Sequence, residues 1–247
     1  MNSKWLRINH MPPTPLYPDQ PRVTAGAAHI ALAREAAAEG MVLLKNDDRA
    51  LPLDPAAPLA VFGKAQDDYV KGGGGSGDTT TAYARSLHDA MAGWNLFAPL
   101  SDFYAGYVRD QYALGLAPGQ LEEPPLDDAL LAAARAFADT AVVTLCRYSC
   151  EGSDRTASPH DGDFYLSPAE EAMVDRVLSA FDRVIVVLNT GGMMDTSWCR
   201  ESAKVKAVLL AWQGGIGRRS VRRGLPRRPS GRYLRRELRL LPLLRGL

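Results

Sequence analysis

Several stretches of this chain are apolar with little or no polar alternation. They are Leu59–Gly63 (LAVFG), Ala141–Cys146 (AVVTLC), Val184–Asn189 (VIVVLN) and Val205–Trp212 (VKAVLLAW). Runs of that length without alternation read as strands buried on both faces. Met41–Leu44 (MVLL) is a shorter apolar run, followed by a turn over Lys45–Arg49. The segments between carry helical patterns. Ala27–Gly40 is rich in strong helix formers and stops at a glycine. Asp127–Asp139 (DDALLAAARAFAD) has a helical repeat of apolar positions. Ser167–Phe181 starts with a capping Ser, a Pro at the first helical position and acids in the first turn. Thr80–Ala92 is expected to be helical and Trp94–Ala98 to form a strand. Buried strands alternating with helices imply an α/β fold: a three-layer α/β/α sandwich on a mostly parallel sheet. The domain is expected over residues 27–215, after an extended proline-rich arm (1–26) and before a basic tail (216–247).

Composition adds little. Apolar residues make up 46% and charged residues 23%, as in ordinary globular domains. A net charge of +1 gives no case for nucleic acid or an acidic membrane surface. Cys146, Cys150 and Cys199 are odd in number and lack a CxxC spacing, so neither a disulfide framework nor a zinc site is expected. That usage, with no signal-peptide core and no apolar run of bilayer length, gives a cytoplasmic reading.

Candidate chemistry lies beyond the expected strand ends, where open α/β sheets bind ligands. Lys71, Gly72, Gly73, Gly74, Gly75, Ser76, Gly77 and Asp78 form a glycine-rich loop. Glycines let the main chain approach a ligand closely. A phosphate cradle is one reading, although no Lys follows the last glycine and Asp78 would repel phosphate. A loop beside a neutral polyol is another, and a plain surface turn a third.

The second loop, Arg147–Arg155 (RYSCEGSDR), follows the Ala141–Cys146 strand. Glu151 is there placed for proton transfer. The alternative is a solvated loop whose carboxylates Glu151 and Asp154 pair with Arg147 and Arg155. His160 is a lone histidine in a polar stretch and reads as solvated. Asn189–Ser197 (NTGGMMDTS) sits at a further strand end, either lining the same crevice or making a turn. No GxSxG elbow is present.

Taken together, these segments resemble glycoside hydrolase family 3, in the α/β-sandwich domain of its bacterial β-glucosidase branch. The matching residues are AREAAAEGMVLLKND…LPL (33–53), VFGKAQDDYVKGGGGSGD (61–78), CRYSCEGSDR (146–155), GDFYLS (162–167), VIVVLNTGGMMDTSW (184–198) and AVLLAWQGG (207–215). The resemblance implies retaining hydrolysis of terminal β-D-glucosyl residues, which needs a nucleophile and an acid/base carboxyl. It implies that Glu151 is the acid/base, that the substrate is a β-glucoside, and that no cofactor or metal takes part. It implies a sugar-side role for Lys71–Asp78, with Asp154 and Arg155 beside them. The family nucleophile belongs to a separate (β/α)8 barrel, in a segment like VSDW that this chain lacks. The rival readings are a non-catalytic sugar-binding module and a nucleotide-binding domain using Gly72–Gly77.

After Gly215 the family pattern breaks down. From Arg218 the chain is rich in Arg and Leu, with Glu237 as its single acid. Reading Leu225–Arg235 one nucleotide later permits SPAGRLADTFA, and Leu241–Arg245 permits YPSSE, both close to the family continuation. The expectation is a frameshift near Gly215 that removed a downstream barrel, leaving a chain inactive alone. A genuine basic tail is the alternative.

Overall fold

The expected strands pair into one sheet. The computed structural model describes residues 27–75, 84–152 and 155–213. The strands are β1 (Val42–Asn46), β2 (Leu59–Phe62), β3 (Thr140–Cys146), β4 (Arg183–Asn189) and β5 (Val205–Leu210). Their spatial order is β1-β5-β4-β3-β2. Strands β2 to β5 are mutually parallel, and β1 closes one edge antiparallel to β5. Cys146 pairs with Asn189, so β3 and β4 end level and their following loops start side by side.

The helices are α1 (Ala27–Gly40), α2 (Leu87–Ala90), α3 (Ala98–Ala113), α4 (Asp128–Phe137), α5 (Pro168–Ala180) and α6 (Ser197–Glu201). The chain divides into residues 1–33 and 34–247, and the described part of the first unit is the beginning of α1. Each face of the sheet has its own core. Ala141, Val143, Leu145, Val184, Val186 and Leu188 pack with Leu100 and Tyr104 of α3, Ala134 of α4 and Met173, Val174 and Val177 of α5. The opposite face places Val61, Val142, Ile185, Val187 and Leu209 against Leu51, Leu53, Leu87, Met91 and Trp94. Among the described residues this second layer is mostly loop, with α2 as its short helix. Two-sided burial explains why β3 and β4 read as unbroken apolar runs.

The segment after the glycine loop departs from expectation. Helix occupies only Leu87–Ala90 of the described part of Thr80–Ala92. Trp94–Ala98 is not a strand: Leu96 makes a single parallel bridge to Leu59, and Ala98 already starts α3. Pro99 in the first turn of α3 explains the switch, since its fixed φ suits a helix start and its missing N–H suits no sheet ladder. Lys45 and Asn46, expected in a turn, extend β1 instead; the turn is the 3₁₀ segment Asp47–Arg49.

Candidate functional site

Three loops meet at the carboxyl ends of β2, β3 and β4. The glycine loop follows β2, the Glu151 loop follows β3, and the Thr190–Asp195 segment follows β4. The first two lie directly on each other. Gly74 N donates to Ser149 O at 2.9 Å. A Cβ at Gly73 would sit 3.0 Å from Ser149 O, and one at Gly74 would collide with Tyr148 Oη and Cys150 Cβ. Gly75 has φ +70°, and a Cβ there would strike Glu151 Cβ and lie 2.9 Å from Glu151 Oε2. The glycines are therefore required by close approach, because only main chain without Cβ fits under these side chains. Glu151 and Gly75 are both exposed, so their shared surface faces solvent.

Asn189, buried at the tip of β4, fixes the base of the glycine loop. Its Oδ1 accepts from Val70 N at 2.7 Å, and its Nδ2 donates to Val70 O at 3.0 Å and Trp212 O at 2.7 Å. Asp68, fully buried, accepts from Lys64 Nζ at 3.0 Å, Tyr112 Oη at 2.7 Å and Gly119 N at 2.7 Å. A buried carboxylate survives only with such partners. Beneath it, burial pushes the Cys146 thiol up to about 11, so it stays protonated at neutral pH.

Arg147 anchors the start of the Glu151 loop. Its guanidinium is 4% exposed and grips Glu170 twice, Nη1 to Oε1 at 2.7 Å and Nη2 to Oε2 at 2.8 Å. It also donates to the carbonyls of Asp163 at 2.6 Å, Cys146 at 2.7 Å and Tyr165 at 3.3 Å. Glu170 closes the capping box of α5, accepting from Ser167 N at 3.0 Å while Ser167 Oγ accepts from Glu170 N at 3.2 Å. The downstream end is held by Arg155, whose Nε donates to Asp163 Oδ1 and whose Nη1 donates to Met193 O at 2.5 Å. Asp163 Oδ2 accepts from Thr156 N at 2.6 Å. Arg147 and Arg155 are thus taken up by Glu170 and Asp163, partners the ion-pair reading of this loop did not include.

Below the site, Glu123 is buried and its Oε2 accepts from Lys64 N at 3.0 Å. Its Oε1 and the Tyr104 hydroxyl are sealed without a hydrogen-bond partner. Burial pushes Glu123 up from its ordinary 4.5 to about 7. A raised carboxyl pKa means the folded chain holds this proton more tightly than the unfolded chain does. Its stabilising contribution is complete below about pH 4.5 and is lost as pH rises through about 7. At ~1.4 kcal/mol per pKa unit the loss is on the order of 3 kcal/mol. Urea midpoints at pH 5 and pH 8 are expected to differ in that direction, and by less in Glu123→Gln. Equal pH dependence in the variant would rule the assignment out.

Lys71, Gly72, Gly73, Gly74, Gly75, Glu151 and Arg155 therefore belong to one cluster of loops. Ser76, Gly77, Asp78 and Asp154, and the segments 1–26 and 216–247, lie outside the described residues. A phosphate on Gly75 would face the Glu151 carboxylate, which disfavours the phosphate cradle. His160 is exposed and pairs with Glu171 at 2.9 Å. Asp163 and Glu170 are the residues that sequence reasoning left without a site role, and Asn189, read as lining the crevice or starting a turn, instead anchors the base of the glycine loop. A polar Asn ending the apolar run VIVVLN was the available signal. All three cysteines are unpaired. Among the described residues, no group of three or more His, Cys, Asp or Glu could hold a metal ion. No described helix is long and apolar enough to cross a membrane.

Comparison with known proteins agrees with this fold. The model of the Glycosyl hydrolase family 3 C-terminal domain matches residues 41–225. Beta-glucosidase A of Butyrivibrio fibrisolvens is 45% identical over 237 residues, covering 86% of this chain and 29% of its own length. A beta-glucosidase of Ruminococcus albus is 35% identical over 192 residues, covering 74% of this chain and 20% of its own length. The solved structure of beta-glucosidase 3B from Thermotoga neapolitana in complex with glycerol superposes with a TM-score of 0.69 at 35% identity. That match covers 76% of this chain and 28% of the solved one. The chain thus spans less than a third of the length of these relatives. With the fold and the matched segment in agreement, the chain belongs to glycoside hydrolase family 3, as its C-terminal-type α/β domain.

Proposed function

We propose that Glu151 is the acid/base carboxyl of a retaining β-glucosidase, and that this chain carries one half of a two-carboxylate site. The observation that supports the reading is the packing of the 148–151 loop on Gly73–Gly75, with Glu151 itself over Gly75. Glu151 is exposed and follows β3, in the region beyond the carboxyl ends of the strands where open α/β sheets bind ligands. In retaining hydrolysis the protonated acid gives its proton to the departing glycosidic oxygen, and the resulting carboxylate then takes a proton from the attacking water. Arg147, bound to Glu170, and Arg155, bound to Met193 O, fasten the chain on either side of Glu151, which supports a fixed setting for that segment. The nucleophile comes from outside this chain, since no segment here matches its family motif. No cofactor is invoked.

The test has two arms. The 247-residue chain alone is expected to release no aryl alcohol from an aryl β-glucoside. Turnover by the chain alone, abolished in Glu151→Gln, would overturn the half-site reading. In the second arm, residues 41–225 replace the matching segment of the Butyrivibrio enzyme. Glu151→Gln in that chimera is expected to slow hydrolysis by about 10²–10⁴-fold, the usual contribution of a positioned acid/base. The loss should shrink for leaving groups acidic enough to depart without protonation. An unchanged rate on alkyl glucosides would sink the assignment of Glu151.

A further inference from the structure

Asn189, the last residue of β4, is 2% exposed and ties together the chain on both sides of it. Its backbone oxygen accepts from Arg147 N at 2.9 Å, where the Glu151 loop begins. Its carboxamide makes a two-way bridge with Val70, where the glycine loop begins: Oδ1 accepts from Val70 N and Nδ2 donates to Val70 O. Nδ2 also donates to Trp212 O, just after β5. A carboxamide offers an oxygen acceptor and two N–H donors, and here all are used. The partners fix its orientation, since Val70 N only donates and the two carbonyls only accept. Other side chains of this size fail the pattern. Asp lacks the donors, Leu has neither donor nor acceptor, and Gln would push Val70 away by one more methylene.

The same two loops meet again further out. Gly74 N donates to Ser149 O at 2.9 Å, and Gly75 lies against Glu151. The contacts therefore close a ring: Asn189 to Val70, along the glycine loop to Gly74, across to Ser149, and back through Arg147 to Asn189. Gln213 braces the returning arm. Its Nε2 donates to Arg147 O at 3.1 Å, so the backbone N–H and C=O of Arg147 are both held. A fully satisfied buried joint at the root of two short arms is rigid, and it sets the distance between their tips. We infer that Asn189 is a positioning residue for Glu151: it holds the glycine loop against the Glu151 loop and so sets where the carboxyl stands. The inference rests on the acid/base reading of Glu151, but the joint itself is testable without it.

The joint is tested in the full chain through Cys150, which is half-buried and whose Cβ packs on Gly74. In Asn189→Ala, iodoacetamide should alkylate Cys150 at least about tenfold faster, the scale set by leaving buried polar groups unpaired. Cys199, buried on α6, is the internal control and should keep its rate. Should Asn189→Ala fail to fold, amide exchange in the unaltered chain decides: Val70 and Gly74 are expected to open together, with equal protection. In the Butyrivibrio chimera, Asn189→Ala should lower kcat about tenfold or more on an alkyl β-glucoside at unchanged KM. The loss should be much smaller on an aryl glucoside whose leaving group departs without a proton. An unchanged Cys150 rate, equal acceleration of Cys150 and Cys199, independent exchange of Val70 and Gly74, or equal loss on both substrates would each overturn the inference. A silent Glu151→Gln beside a fast Cys150 would instead overturn the acid/base reading and keep Asn189 as the joint of the two loops.

Discussion

Arg147→Ala is expected to lower the midpoint of thermal unfolding by ~10 °C or more. The substitution leaves Glu170 buried without its counter-charge, which costs about 3–5 kcal/mol. For a domain of this size each kcal/mol moves the midpoint by about 2–4 °C. Both members of the pair are nearly sealed, Arg147 at 4% and Glu170 at 5% exposure, so solvent cannot take over the lost bonds. Arg147→Lys is expected to rescue little, because an ammonium cannot reproduce the two-pronged grip on Glu170 together with the three carbonyl contacts. Replacing both partners, Arg147→Met with Glu170→Leu, should recover only part of the loss, since Glu170 also caps α5. Circular dichroism melts of the three variants decide this; a drop under about 2 °C for Arg147→Ala would mean that the pair contributes no more than a surface bridge.

The largest functional effect short of Glu151 itself is expected from Gly75→Ala. The new methyl group must occupy space now filled by Glu151 Cβ and Oε2, at a backbone φ of +70°. Either the glycine loop or the Glu151 loop has to move. A displacement of ~1 Å in a reacting group can cost about 10²-fold in rate. In the Butyrivibrio chimera, Gly75→Ala should therefore reduce kcat by about 10²-fold with a modest change in stability. Gly72→Ala is the control: its added Cβ meets nothing within 4 Å, and it should be close to neutral. If both variants lost activity equally, loop flexibility rather than seating of the carboxyl would be the cause.

The sheet was legible because its strands are buried on both faces. β3 and β4 carry no polar alternation, and their apolar runs match the strand limits to within a residue. Helix α5 was legible from its cap, and the Ser167–Pro168–Glu170 start forms as the sequence suggested. Helix α3 was not read. Only Leu100, Ser101, Tyr104 and Val108 are buried along its 16 residues, and Gly106 and several polar residues interrupt the apolar stripe. Its neighbour Leu96 mimics a strand because it does bridge to β2, at one residue only.

The site was legible in its parts and not in its joints. Glu151 and the glycine run stood out in the sequence, but their contact depends on two strand ends lying next to each other, which no local pattern encodes. The partner of Arg147 was expected nearby in the loop and proved to be Glu170 on α5. Sequence proximity misled there because a buried guanidinium selects the partner that the fold brings to it, whatever the separation along the chain.

Glu170 carries a consequence for how this domain tolerates change. A single carboxylate ends a loop, starts a helix and neutralises a buried cation. No other side chain meets those demands at once: Gln keeps the shape without the charge, and Asp keeps the charge without the reach. In a saturation scan of this domain selected for folded, soluble protein, position 170 should accept almost nothing, while many exposed positions of α4 and α5 accept almost anything. Loss of this fold should therefore concentrate at residues that join elements, such as Glu170, and not at the exposed loop residues beyond the strand ends.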